Sequence, residues 1–105
     1  MRLIKKLIHN INEELHDAEK YIDCALAHQH DGSDLNPLFT KLAAAELDHA
    51  NWLHEAVVKE IDKFKSAMHP VEHPPAYMIE LWEEMHEDYI EKLAVLRHKL
   101  DLARK

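Results

Sequence analysis

Apolar residues recur three and four positions apart through Leu3, Leu7, Ile8, Ile11, Leu15, Ala18, Ile22, Ala25 and Leu26, the spacing that lines one face of a helix. A first helix over about residues 2–29 follows. His30-Asp-Gly-Ser-Asp34 holds the chain's only glycine and breaks the pattern. It restarts at Asp34-Leu-Asn-Pro37, where Asn36 or Asp34 can cap and Pro37 falls in the first turn, where its missing N–H costs nothing. The second apolar line runs through Phe39, Leu42, Leu53, Val57, Ile61 and Phe64 and predicts a helix over about residues 36–68. His69-Pro-Val-Glu-His-Pro-Pro75 separates it from a third helix over about residues 76–104. That helix turns Ile79, Trp82, Tyr89 or Ile90, Leu93, Leu96 and Leu100 inward. Both connections are short, so neighbouring helices run antiparallel. The expected fold is all-α, an antiparallel three-helix bundle in one domain spanning residues 1–105.

The second line has a gap, and Glu46 and His49 fill it. A carboxylate and an imidazole in Glu46-Leu-Asp-His49 would then project from the buried face, where an unpaired charge is costly. The E-x-x-H spacing stacks them on adjacent turns, able to hold one metal ion or bracket two, as in helical di-metal carboxylate bundles. Two more such pairs occur, Glu13/His16 and Glu83/His86, making three where chance supplies about one in a chain this rich in Glu and His, so spacing alone is weak evidence. Only the second-helix pair interrupts a core stripe. With the first connection centred near residue 33, Glu46 and His49 face about residues 17–20, and Glu14 lies about 6 Å along the axis from that level. Asp17 and Glu19 compete with it. Across the second connection, Glu83 and His86 come level with Glu60, about 18 Å from Glu46 and His49. Glu60, Glu83 and His86 thus form a separate candidate metal group, and one chain cannot complete a four-helix site. A two-fold dimer of the first hairpin would supply Glu14, Glu46 and His49 twice. Four carboxylates then offset two divalent ions and repel one another without them.

Composition narrows the partners. The 105 residues carry a formal charge of −7, and no basic stripe is available for nucleic acid. The basic start, Met1 to His9, lacks the apolar run of a signal peptide, no stretch approaches transmembrane length, and a lone Cys24 suits a reducing compartment. A cytoplasmic protein without membrane or nucleic-acid partners is expected. Ten histidines form the remaining anomaly, since histidine is the commonest metal ligand.

Glu13-Glu-Leu-His-Asp-Ala-Glu-Lys-Tyr21, followed by Leu42-Ala-Ala-Ala-Glu-Leu-Asp-His-Ala50, resembles the ferritin-like superfamily. The similarity is closest to encapsulated ferritins, whose single helical hairpins pair to build a di-iron ferroxidase centre between subunits, and it covers about residues 10–58. The resemblance implies Glu14, Glu46 and His49 as iron ligands, with Tyr21 beside the centre and Glu13 on an entry route where His16 departs from the acidic pattern. It implies oxidation of Fe(II) by dioxygen in a homodimer or larger even assembly, and manganese or zinc suits the same donors. The C-terminal Leu100-Asp-Leu-Ala-Arg-Lys105 does not resemble an encapsulin-docking tail, so no shell partner is expected. His9, His54 and His98 read as surface residues. The rival reading is a non-catalytic acidic bundle that associates through Trp52, Trp82 or its first turn, with Glu46 and His49 in a buried polar network that fixes register.

Overall fold

A computed structural model describes residues 2–67 and 76–105, with side chains from 3–63 and 80–105. Expected inward residues Phe64 and Ile79, and linker histidines His69 and His73, lie outside the described side chains. Three helices, α1 (Arg2–Ala27), α2 (Leu35–Ala67) and α3 (Ala76–Ala103), form the described structure, which contains no strand. The bundle is a rod of 63 × 18 × 15 Å with a radius of gyration of 17.3 Å.

The α1–α2 connection is a compact polar turn. Gly32 takes φ +76°, the left-handed conformation that side chains with a Cβ rarely adopt. Asp31 accepts hydrogen bonds from the Ser33 backbone N–H (3.0 Å) and hydroxyl (2.6 Å), and its partner on the other side is His28. These bonds hold the Asp31 carboxyl down at about 2. The Asp34 carbonyl accepts the first helical bond of α2, from Leu38 N–H at 3.3 Å, which settles Asp34 as the cap residue.

Asn36 is released for a different task. Its side-chain amide donates to the Ala25 carbonyl and to the Ala103 carbonyl, each at 2.8 Å, tying the ends of α1 and α3 to the start of α2. Gln29 adds a donor to the Leu102 carbonyl at 2.6 Å, and Lys99 pairs with Asp23 at 3.1 Å. The Ala25 and Leu102 carbonyls also accept backbone N–H bonds, from His28 at 3.2 Å and Lys105 at 3.3 Å, so the side-chain amides add a second donor to each, and Asn36 supplies the donor to the Ala103 carbonyl.

The core is Ile4, Ile11, Leu15, Ala18, Ile22 and Ala25 of α1, Ala43, Leu47, Ala50 and Val57 of α2, and Tyr89, Leu93, Leu96, Leu100 and Ala103 of α3. This corrects the phase of α2. The buried line runs through Leu47 and Ala50 and leaves Glu46 and His49 on its shoulder, because the alanines complete a stripe that larger side chains alone do not reveal. On α3, Tyr89 (6% exposed) packs inward and Ile90 (49%) faces out. Trp82 is 8% exposed, whereas Trp52 is 62% exposed.

Replacing Asn36 with Ala removes the donor to the Ala103 carbonyl and one of the two donors to the Ala25 carbonyl. We expect a loss of about 1–3 kcal/mol in urea unfolding and faster amide exchange at the last turn of α3. Unchanged stability would show that the three-way tie contributes nothing.

Candidate metal centre

The turn between Ala27 and Leu35 centres the hairpin near residue 31. Asn36 meets Ala25, and the same register sets Glu14 directly opposite Glu46 and His49. The expected offset of about 6 Å along the axis disappears, because the turn is centred about two residues earlier than the sequence suggested.

One donor atom from each of Glu14, Glu46 and His49 lies within 4.8 Å of the others. His49 Nδ1 stands 3.5 Å from Glu14 Oε2 and 4.0 Å from Glu46 Oε2. Neither contact is short enough to be a good hydrogen bond. Glu14 Oε2 is buried with no hydrogen-bond partner, a rare and costly state for a carboxylate oxygen. Two carboxylates therefore share a small space with a single imidazole, in an arrangement that a divalent cation would complete. Both glutamates are half-buried, and His49 is more open, its ring tilted against Trp52 at a centroid distance of 5.5 Å.

The group sits on the flank of the hairpin away from α3. Asn12, His16 and Glu19 of α1 line its groove with α3, while Glu14 lies on the other side of the α1 core stripe with Leu7 and Tyr21. The third helix does not cover the group. Tyr21 lies two turns beyond Glu14, about 10 Å along the axis, and its half-buried ring stacks on Phe39 at 6.2 Å. Asp17 and Glu19 are outside the group, and Glu13 is exposed and paired with His9 at 2.9 Å.

The second candidate group does not assemble. Glu60 pairs with Lys63 at 3.1 Å, Glu83 is exposed, and His86 meets His54. On α3 the inward positions are Trp82 and Tyr89, so Glu83, one residue past Trp82, turns about 100° away from α2. Among the described residues, Glu14, Glu46 and His49 are the only group of three or more candidate metal donors.

His54 is half-buried and packed against α3, where a free surface position was expected. Its ring stacks on Tyr89 at 4.2 Å with the planes 11° apart, and its Nε2 lies 2.9 Å from His86 Nδ1. Burial and the nearby His86 push its pKa below the ordinary histidine value, against a weaker opposing pull from Glu55. Burial likewise raises the Tyr89 phenol, whose hydroxyl has no hydrogen-bond partner. The sequence signal was the helical spacing of His54 from Val57 and Ile61, three and seven residues on, which lie in or against the core.

No known protein family, curated protein or solved structure matches the chain.

Two outcomes follow for the metal-free protein. As pH falls below about 6.5, the unfolded chain takes up a proton on His54 before the folded chain does, so stability declines toward the lowered folded pKa. His54→Phe keeps the ring stack and removes that titration; the fall in unfolding temperature between pH 7 and pH 5 should be smaller than in wild type. Glu14→Leu relieves a crowded carboxylate, so with a chelator present it should unfold at the same or a higher temperature than wild type. A large drop would mean that Glu14 is a structural ion-pair partner.

Proposed function

We propose that two copies of the chain pair through the open flank of the hairpin and share a di-metal centre built from Glu14, Glu46 and His49 of each. Fe(II) is the substrate, oxidised with dioxygen as the electron acceptor. The observation that carries this reading is the convergence of two half-buried carboxylates and an imidazole around an orphaned oxygen, Glu14 Oε2.

The residues fit a metal centre on their chemistry. Carboxylates and imidazoles are the donors of helical di-metal sites, and twice two carboxylates balance two divalent ions. One chain provides only half of that set. The exposed flank beside it carries Trp52, next to His49, and the partly buried Leu7, Leu42 and Leu53. An apolar rim of this kind around a charged centre would exclude water when a second copy covers it. Fe(II) held there would give up an electron to dioxygen and leave as Fe(III), while the protein supplies position: α1 presents Glu14, and one turn of α2 presents Glu46 and His49. Tyr21 and Phe39 pack two turns away and stiffen the hairpin on the same flank. Manganese and zinc suit the same donors, and zinc would occupy the site without redox chemistry.

The test is aerobic addition of Fe(II) to purified protein, following absorbance between about 300 and 370 nm, bound iron and assembly state. Wild type should bind about one iron per chain and oxidise it, and Fe(II) should drive monomer to dimer. Glu46→Ala/His49→Ala should lose the bound iron and slow oxidation at least about tenfold. Equal iron binding and rate in that variant, or a monomer that Fe(II) leaves unchanged, would overturn the reading.

A further inference from the structure

Among the described residues, imidazole nitrogens also meet between α2 and α3, where His54 and His86 share a hydrogen bond. His54 Nε2 and His86 Nδ1 are 2.9 Å apart, with ring centroids at 5.0 Å. We propose that His54 and His86 form a second metal site, separate from the carboxylate group, that takes a late divalent transition metal, copper(II) foremost, through two imidazoles from different helices.

The spacing is the first reason. Imidazole nitrogens bind such ions at about 2.0–2.1 Å, and two of them 2.9 Å apart would subtend about 90° at one ion. That is the angle between neighbouring ligands in the tetragonal geometry of copper(II), which also tops the affinity order for nitrogen donors. Preorganisation is the second. His54 is held by its stack on Tyr89, so one ligand stands fixed before an ion arrives. Access is the third. His86 is exposed, and a cavity of about 250 Å³ lies against the pair, leaving room for water in the remaining positions. His54 follows His49 by five residues, about 7.5 Å along α2 and roughly 140° around it, so the two sites share no ligand.

The site would also act as a clasp. An ion bridging α2 and α3 binds only when α3 is docked, so it stabilises the docked bundle by an amount that grows with the logarithm of its concentration over its dissociation constant. The proposal stands independently of iron oxidation at the first centre.

Copper(II) titration of the full chain tests it, with electron paramagnetic resonance and thermal unfolding as readouts. Glu46→Gln/His49→Gln protein, which lacks the first site, should keep copper(II) bound with nitrogen coupling from two imidazoles, and copper should raise its unfolding temperature. Adding His86→Gln, at an exposed position that leaves the fold intact, should weaken that binding by about a hundredfold and abolish the rise. Adding His54→Gln instead should do the same, while adding His30→Gln should change neither. Undiminished binding and stabilisation in the His86→Gln protein would overturn the proposal. Loss of the copper signal already in Glu46→Gln/His49→Gln protein would overturn it too, by assigning the ion to the first site.

Discussion

Everything at the carboxylate group depends on how closely α1 and α2 approach. Ala18 and Ala43 stand level across the hairpin, and with Ala25 and Ala50 they are wholly buried. Small side chains let two helix backbones come near, and the long residues on the flanks are then forced into a narrow space. Glu14 on one helix and Glu46 and His49 on the other are those residues. The seam is stabilised by Ile11, Leu15, Ile22 and Leu47, and that burial offsets the cost of crowding two carboxylates. A bulky residue at Ala18 or Ala43 would separate the helices and disperse the group without touching a donor atom.

The polar tie at the turn fixes the second coordinate, the register. Asn36 serves as a two-armed donor to helix ends, so neither hairpin helix can slide without breaking that tie. A slip of one residue would move Glu14 by about 1.5 Å and turn it about 100°, off the flank altogether. Spacing from the alanines and register from the asparagine together determine which side chains meet.

The helices were legible from breakers and periodicity, with ends displaced by a residue or two. The lone glycine, Pro37 and the proline-rich linker are local signals that tertiary packing rarely overrides. The meeting of Glu14 with Glu46 and His49 was legible from the hairpin alone, to within one helical turn. Phase was harder to read. Alanine contributes little to an apolar pattern yet fills the closest contacts, so the stripe through Ala43, Leu47 and Ala50 was hidden behind Phe39, Leu42 and Leu53. The same blindness missed the partial burial of His54. Its burial comes from Tyr89 of α3, a residue 35 positions away in the chain, and the choice between Tyr89 and Ile90 cannot be made from spacing when both are large and apolar. Glu83 failed as a partner for Glu60 for a related reason, since one residue of phase on α3 decides which side chains face α2.

The rod shape carries a consequence for surface area. A folded chain of 12.3 kDa is expected to expose about 6,100 Å², and this one exposes 7243 Å². A bundle three helices thick and 63 Å long has too little interior for its length. The excess is of the order of the roughly 800 Å² that one partner contributes to an ordinary protein interface. Two such rods laid side by side would approach the proportions of a four-helix or larger bundle, with a surface-to-volume ratio closer to that of an ordinary domain.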